Sequence, residues 1–375
     1  MILMDLRADN LLCFNDFHIN FSYPKKIVDS YIENECLDGE PNFRYKKLII
    51  LMGSNATGKT SLGRLIMSIF NFMAHKNVDV ITTAISDKKS EASFTTDFVV
   101  NIDNKYYMYR IKAVFNPPRE DKYTSENIDV RVYSIKLRKG DNYERCAVRL
   151  GNSIKDDSHE NYVAELEKIR GLTWFFIFPA DEPGHVKYSA KNEEVYVKVM
   201  SAILRLLDPA IDSVEKIDGV ENSYVIRMNG NEVIIQDGSV AKANVLSTGT
   251  VAGLDIAAML ASMCMGQYGF YYCDEKFSYV NGDIERAILV TMINKLKKDS
   301  QLFFTTHNYD VLDMPLPKHS FYLMRKEITD GRQRITVVNA GDYLKKNTDS
   351  VRNAVENDLF LSAPSLDLLD DLDEL

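Results

Sequence analysis

The pattern of a phosphate-binding loop is the feature that most constrains how this chain can fold. An apolar run, Leu48 to Met52, leads directly into Gly53-x4-Gly58-Lys59-Thr60. Glycines let successive backbone N–H groups curl around phosphate oxygens, and a helix that begins there points its positive end at the same anion. Residues 61–70 carry the apolar spacing of a helix. The sequence therefore predicts a strand, a phosphate-binding loop and a helix in succession.

The residue types of the loop assign roles to its members. The Lys59 ammonium would contact the β- and γ-phosphates, and the Thr60 hydroxyl would bind a magnesium ion. The residues expected to line the phosphate site are Gly53, Ser54, Asn55, Ala56, Thr57, Gly58, Lys59, Thr60 and Ser61. The alternative is an ordinary glycine-rich turn, and the flanking strand and helix argue against it.

Composition points to a globular protein. The chain has 375 residues, of which 45% are hydrophobic, which is enough for a large core. We find no apolar stretch close to the roughly 20 residues that span a bilayer, and no signal-peptide pattern at the start, so we expect a cytoplasmic protein without a membrane contact. The five cysteines form no Cys-x2-Cys pair, and the six histidines are scattered. Neither a zinc site nor a disulfide framework is indicated.

The net charge of −9 is concentrated near the end of the chain. Residues 349–375 carry eight acids and one base, so the rest is nearly neutral. Broad nucleic-acid binding is possible but is not indicated by this charge. A local cluster of bases could still contact an anion, although a solvated strand face is the favoured explanation. The members of the cluster are Lys136, Arg138, Lys139, Arg145 and Arg149.

Hydrophobic periodicity predicts the remaining elements. Residues 1–22 indicate two strands joined by a turn, and residues 23–46 indicate a loop. Further strands are predicted over 94–102, 105–115, 129–137, 174–179, 224–228, 232–235, 268–273, 303–307, 321–326 and 334–338. Further helices are predicted over 158–170, 192–207 and 251–265. Asn229-Gly230-Asn231 suits a tight hairpin turn, because Asn-Gly tolerates positive φ angles.

Three motifs follow the loop in the chain. The first is Leu246-Ser247-Thr248-Gly249 before an apolar helix. The second is Asp274-Glu275 at the end of an apolar strand, where an aspartate can hold magnesium and a glutamate can orient the attacking water. The third is the strand Phe303 to Thr306, which ends in His307. Each motif alone is weak, since Ser247 could simply cap a helix and His307 could be structural.

Together the four motifs resemble the order found in ABC-type ATPase heads. The group in question contains the overcoming-lysogenization-defect, RecF and structural-maintenance-of-chromosomes proteins. An N-terminal Leu-x-Ala-x-Asn-x-x-x-Phe stretch and a Leu-Asp-Pro before the hairpin also stand in family order. The resemblance covers the head well and the stretch between 94 and 190 poorly.

The resemblance implies an α/β fold: a P-loop NTPase with an ABC-type head, a mixed central sheet, an antiparallel β edge sheet and an inserted lobe. The head would comprise residues 1–93 and 215–345, and the inserted β/α lobe residues 94–214. An acidic tail, residues 346–375, would follow.

The resemblance also implies the site and the assembly. ATP and Mg²⁺ are the expected cofactors, with Thr60 and Asp274 as the magnesium ligands. Lys59, Glu275 and His307 would be the catalytic residues, His307 sensing the γ-phosphate. Ser247 and Gly249 of one subunit would touch the γ-phosphate held by the other, in a homodimer that closes head-to-tail around two ATP molecules.

Three departures from the family pattern affect turnover more than binding. Residues 1–235 contain no glutamine, so the usual magnesium-ligating glutamine is missing. Its replacement is a water or another group, and the candidates are Asp181, Glu182 and His185. Asn281 stands where many relatives carry histidine, and Leu11 and Leu12 stand where a basic residue often approaches the nucleotide.

Three functions are open at this point. The first is a slow ATPase switch that controls a separate effector, a nuclease or toxin, in bacterial defence against phage. The second is a RecF-like DNA repair or chromosome-maintenance ATPase. The third is a self-contained nuclease, for which too few residues follow His307. Leu366, Leu369 and Leu372, set among acids, suggest a short amphipathic docking segment, and a solubilising terminus explains them equally well.

Overall fold

The computed structural model describes residues 1–27, 30–118, 122–152, 161–179, 191–240, 245–329, 332–346 and 348–360. These residues divide into two compact units. The small unit comprises Met1–Ile2 and Thr173–Asp310. The large unit comprises Leu3–Leu172 and the described residues from Val311 onward.

The strands of the described residues are β1 Ile2–Asp9, β2 Phe17–Asn20, β3 Cys36–Leu37, β4 Glu40–Arg44, β5 Leu48–Met52, β6 Ala92–Ile102, β7 Lys105–Phe115, β8 Ile128–Lys136, β9 Trp174–Ile177, β10 Ile211–Lys216, β11 Ser223–Met228, β12 Asn231–Gln236, β13 Ser239–Val240, β14 Phe270–Asp274, β15 Gln301–Thr305, β16 Phe321–Thr329 and β17 Arg332–Asn339. The helices are α1 Lys59–His75, α2 Val78–Thr82, α3 Tyr143–Asn152, α4 Tyr162–Glu167, α5 Glu193–Leu207, α6 Thr248–Met265, α7 Gly282–Lys295, α8 Ala340–Tyr343 and α9 Val351–Glu356.

An antiparallel sheet and helix α1 form much of the core of the large unit. The sheet has the strand order β2-β1-β6-β7-β8, and its long strands β6 and β7 pair from Ala92↔Phe115 to Ile102↔Lys105. Helix α1 is amphipathic, and its Phe72 ring lies against the Phe94, Phe115 and Tyr162 rings. Fully burying aromatic rings of this kind is a large source of stability.

In the large unit, the phosphate-binding loop follows one strand of a second sheet. Strand β5 pairs in parallel with β16, and β16 pairs antiparallel with β17, so this sheet is mixed. All five residues of β5 are buried, which explains why the sequence reads as a continuous apolar run there. The loop begins at the carboxyl end of β5, where ligands of α/β sheets bind.

The small unit contains parallel strand pairs and an antiparallel sheet. Strand β14 pairs in parallel with both β9 and β15, and strands β10 to β13 form an antiparallel sheet. In the predicted hairpin between β11 and β12, Asn229 and Gly230 both have positive φ angles, 48° and 72°. These values fit a two-residue turn of the primed type that joins tightly paired strands.

Helix α6 is apolar enough to resemble a membrane span. It has 18 residues and a mean hydropathy of 1.4, so by length and composition alone it could cross a membrane. From the sequence we expected no such stretch. However, 72% of it is buried inside the protein, and buried core helices pass the same test.

The structure confirms the predicted α/β class with a mixed sheet and antiparallel sheets, and it corrects three local predictions. Residues 23–46 contain the short hairpin of β3 and β4, where a loop was predicted. Helix α3 was not predicted, and it carries Arg145 and Arg149, so the basic cluster is not a single strand face. Helix α4 ends at Glu167, before the predicted end at 170, and residues 158–160 of that prediction lie outside the described residues. The division into head and inserted lobe stays a prediction.

The packing of α1 gives a test of the large unit. We expect Phe72→Ala to lower the free energy of unfolding by about 3–5 kcal/mol, because it leaves a cavity among three aromatic rings. Urea denaturation followed by circular dichroism measures this change. Tyr31, which is 79% exposed, is the control, and Tyr31→Ala should change stability by no more than about 0.5 kcal/mol. Equal effects of the two substitutions would contradict the described core.

Candidate nucleotide-binding site

The loop after β5 has a backbone that two glycines make possible. A Cβ atom at Gly53 would lie 2.4 Å from the carbonyl oxygen of Met324, on strand β16. Gly58 has a φ angle of 97°, and a Cβ atom there would lie 2.7 Å from the Ile335 side chain. Both positions therefore require glycine, and between them Ala56 also has a positive φ angle, 62°. The sequence predicted this use of Gly53 and Gly58.

Lys59 lies folded over the loop. Its side chain is largely buried, with 4% of the residue exposed, and its Nζ atom donates to the carbonyl oxygens of Gly53 and Ser54 at 3.0 and 3.2 Å. Thr57 Oγ1 also donates to the Ser54 carbonyl, at 2.8 Å. These bonds hold the ammonium group inside the ring of backbone that would surround a phosphate.

The rest of the loop is accessible. Asn55 and Ala56 are exposed, and Ser54, Thr60 and Ser61 are half-buried. Helix α1 begins at Lys59 with Gly58 as its N-cap and no side-chain cap. The first-turn N–H groups of this 17-residue helix are therefore not satisfied by a capping side chain, which suits an anion.

The Asp274-Glu275 pair lies in the small unit, at the end of β14. Asp274 is fully buried and pairs in register with Thr305 of β15. The Thr305 hydroxyl donates to Asp274 Oδ1 at 2.6 Å and accepts from the Glu275 backbone N–H at 2.8 Å. One hydroxyl thus orients the first carboxylate and fixes the backbone that carries the second.

Glu275 and His307 contact each other directly. Glu275 Oε1 lies 2.8 Å from His307 Nε2, and both side chains are partly exposed, 21% and 42%. The backbone of Glu275 has a φ angle of 41°, a left-handed conformation that non-glycine residues rarely adopt. Such backbone strain concentrates at functional sites, where the surrounding contacts maintain it. The structure therefore brings together two of the residues that the sequence identified separately.

Glu285 of helix α7 is a residue that sequence reasoning missed. It is 4% exposed, and it accepts from the Thr306 hydroxyl at 2.6 Å and from the Asn308 side-chain amide at 2.8 Å. These two residues flank His307 on both sides, so Glu285 anchors the segment that carries the histidine. Burial raises the pKa of Glu285, and the two hydrogen bonds only partly oppose this shift.

Glu275, Glu285 and His307 line one cleft of about 440 Å³ in the small unit, together with Phe277, Ser278, Val280, Gly282, Thr305, Thr306, Asn308 and Asp310. Its lining includes two glutamate carboxyl groups and one imidazole. The cleft has room for water and for a polar ligand group.

Ser247 and Gly249 lie at the start of α6, also in the small unit. Ser247 is the N-cap: its Oγ atom accepts from the Thr250 backbone N–H at 3.1 Å. Ser247 and Thr248 are exposed, and Gly249 is half-buried. A Cβ atom at Gly249 would lie 2.8 Å from the Tyr279 carbonyl oxygen, so this glycine is needed for packing whether or not it contacts a nucleotide.

The departures from the family pattern also have local explanations. Asn281 caps α7, its side chain accepting from the Asp283 N–H at 2.8 Å. Leu11 is fully buried, which suits a core role. Asp181, Glu182 and His185 lie outside the described residues.

Each unit offers an oxygen donor of a kind that Mg²⁺ accepts. Thr60 and Asp274 offer a hydroxyl and a carboxylate, the ligand types that Mg²⁺ takes alongside phosphates and water. Within the part of the chain that the structure describes, no three His, Cys, Asp or Glu side chains converge on a point that could hold a metal alone. Lys59 lies inside the loop, and a Cβ atom at Gly53 or Gly58 would clash with Met324 or Ile335, so the loop keeps this shape only with glycine at both positions.

The raised pKa of Glu285 yields a pH-dependent test. A carboxyl with a raised folded-state pKa binds protons that the unfolded chain has released, so its contribution to stability falls as pH rises from the ordinary glutamate pKa through the raised value. Glu285→Gln removes this dependence. We expect the stability of the wild type relative to Glu285→Gln to be highest in acid and to decrease across that window, measured by urea denaturation at several pH values. A difference that does not change with pH would contradict the buried position of Glu285.

Comparisons with known proteins reach only the level of fold. No protein-family model matches the chain, and no curated protein matches it. Among solved structures, it is similar to an Smc head bound to the C-winged helix domain of ScpA (TM-score 0.49, 13% identity, 92% of this chain and 100% of that one).

Two further solved structures are similar at the same level. One is an Smc head domain with an extended coiled coil, bound to the C-terminal domain of ScpA derived from Pyrococcus furiosus (TM-score 0.48, 13% identity, 96% and 100%). The other is the recombination mediator protein RecF (TM-score 0.43, 10% identity, 89% and 97%). These distant similarities assign no role to any residue, and the roles of individual residues rest on the geometry described above.

Proposed function

We propose that this chain is an ATPase that binds ATP with Mg²⁺ at the loop 53–60 and hydrolyses it slowly. The observation that carries the proposal is the position of Lys59, whose Nζ atom is held by loop carbonyls at 3.0 and 3.2 Å. A buried ammonium is costly unless it is hydrogen-bonded. Phosphate oxygens are stronger acceptors than carbonyls, so a nucleotide would take over these bonds with a gain in energy.

We assign hydrolysis to Asp274 and Glu275, with His307 beside them. In this proposal Thr60 and Asp274 hold Mg²⁺, and Glu275 orients the attacking water. Magnesium, when bound, would neutralise charge on the phosphates. Support comes from the left-handed backbone of Glu275 and from its fixation by Thr305. In this proposal His307, whose Nε2 atom lies 2.8 Å from Glu275 Oε1, senses the γ-phosphate.

Slow turnover follows from two features. The first is the absence of glutamine before residue 236, which leaves one magnesium position to water or another group. The second is the contact between Glu275 and His307, because a carboxylate engaged with an imidazole is a weaker base toward water. Both features limit chemistry and leave nucleotide binding intact, as a switch protein requires.

The switch itself would be a head-to-tail homodimer. The 18-residue helix α6 begins after the exposed N-cap Ser247, where the serine hydroxyl and the first backbone N–H groups lie together. Such a helix end suits a γ-phosphate held by a second subunit.

The proposal also includes control of a separate effector, such as a nuclease or toxin, in defence against phage. Only the family resemblance supports this part. A cytoplasmic location is part of the same proposal.

A DNA-binding ATPase like RecF is the second candidate. Three of the bases that the sequence singled out, Lys136, Arg138 and Arg149, line one cleft of about 730 Å³ in the large unit. Arg149 is paired with Asp141 at 2.8 Å, which reduces the charge available to a phosphate backbone. Double-stranded DNA that raises the ATPase rate in a salt-sensitive way would favour this candidate over the first.

The ATPase proposal predicts the effect of removing one carboxylate. We expect Glu275→Gln to lower kcat by about 100-fold or more, because a general base commonly contributes that much. The Kd for ATP should change little, since Glu275 is not a phosphate ligand in this proposal. Phosphate release and ATP titration measure the two quantities. Glu194→Gln changes an exposed glutamate of α5 in the same way and is the control. Undetectable hydrolysis by both the wild type and Glu275→Gln would refute the hydrolysis claim.

The dimer proposal predicts the effect of a cap-preserving substitution. Aspartate caps helices as well as serine does, so Ser247→Asp keeps the α6 cap but adds a negative charge that a γ-phosphate would repel. We expect the Glu275→Gln protein to dimerise with ATP, and Ser247→Asp in that background to stay monomeric, by multi-angle light scattering. Asn192→Asp, which changes the cap of α5, is the matched control. A dimer that persists in Ser247→Asp would show that Ser247 is only a cap.

A further inference from the structure

Helix α6 contains one charged residue, and it is buried. Among the 18 residues of α6 only Asp255 carries a charge, and it is 4% exposed. Its Oδ2 atom lies 2.5 Å from Nζ of Lys276, whose side chain is also 4% exposed. Lys276 directly follows Glu275 in the chain. The ion pair therefore joins the helix that begins at Ser247 to the residue next to the proposed catalytic carboxylate, within the small unit.

A second close contact ties the same two elements together. The segment 275–281 follows β14, and its Tyr279 carbonyl oxygen is 2.8 Å from where a Cβ atom of Gly249 would lie. The segment thus touches α6 at its first turn through Gly249 and further along the helix through Asp255. On its other side it contacts His307 through Glu275. Glu275 is held between α6 and the histidine segment.

Stability alone does not account for the pair. Removing two charges from water costs several kcal/mol per ion, and replacing a buried ion pair with apolar residues of similar size is often neutral or stabilising. An apolar pair, however, would tolerate sliding, whereas a 2.5 Å contact between two charged groups fixes one distance. The expected benefit of the pair is therefore geometric.

We propose that Asp255 and Lys276 form a positioning pair that fixes Glu275 relative to the Ser247 end of α6. Any force on that end of the helix, such as binding of a phosphate or a second subunit at Ser247, is then transmitted through the pair to Glu275 and its contact with His307. The positions of Glu275 and His307 depend on the pair even without nucleotide. The effect of the pair on ATP hydrolysis rests on the proposed function, whereas its effect on the positions of Glu275 and His307 does not.

The test separates geometry from stability. Asp255→Leu combined with Lys276→Met replaces the charges with apolar groups of similar size, and Asp255→Asn removes one charge while keeping the shape. Glu194→Gln combined with Lys198→Met removes an exposed ion pair of α5 (2.8 Å) and is the control. Three quantities are measured on each full-length protein: the urea midpoint, the imidazole NMR signal of His307 without nucleotide, assigned with His307→Gln, and kcat and KM for ATP.

The proposal predicts a shifted or broadened His307 signal in the apolar double variant at nearly unchanged stability. It also predicts a kcat at least about tenfold lower with KM within about threefold, because small misplacements of a reacting group are costly. The α5 control should match the wild type in all three quantities. If the double variant does not fold, Asp255→Asn decides on the same readouts.

Two other outcomes concern the His307 signal and the ATPase activity of the wild type. A His307 signal that stays at its wild-type position in every folded variant overturns the proposal, whatever the value of kcat. If the wild-type protein does not hydrolyse ATP, the proposed function fails while the His307 signal still decides whether the pair positions this segment.

Discussion

The approach of two backbones at Gly53 is the constraint on which the loop depends. Strand β16 runs in parallel beside β5, and its Met324 carbonyl oxygen occupies the space that any side chain at Gly53 would need. The chain can therefore leave the sheet and turn at once only because residue 53 has no Cβ atom. Gly58, at a φ angle of 97°, then allows α1 to begin without a side-chain cap. The backbone N–H groups in the first turn of α1 are left for a ligand, and the Lys59 ammonium lies within the loop that precedes the helix.

In the small unit, polar residues cluster at the ends of two neighbouring strands, β14 and β15. Thr305 orients Asp274 and the backbone of Glu275 through one hydroxyl, and Glu285 holds the residues on both sides of His307. Asp274, Thr305, Glu285 and Thr306 are buried and hydrogen-bonded to neighbours, as the cost of burying polar groups demands, and the partly exposed His307 contacts Glu275. Such a network leaves Glu275 and His307 with few alternative positions. The same rigidity is what a switch would use to convert binding at one end of α6 into a change at Glu275.

The sequence predicts the elements whose local signals are strong. The loop, the Asn229-Gly230 hairpin and helix α5 are each specified by a few neighbouring residues. Helix α3 escaped prediction because its buried residues are only Tyr143, Cys146 and Leu150, set among charges. Glu285 and the Asp255–Lys276 pair were missed for another reason. Their partners lie 21 or more residues away along the chain, so an acid in a helix looks like a solvated one until the fold brings its partner to it.

Binding of ATP at the loop is the central claim, and calorimetric titration of ATP with Mg²⁺ tests it most directly. The comparison is between the wild type and Gly53→Ala, with circular dichroism to show that both are folded. The account predicts saturable binding of about one ATP per wild-type chain, and no measurable binding by Gly53→Ala, because the added methyl group displaces the loop from the Met324 carbonyl. Equal affinity of the two folded proteins for ATP would contradict the account.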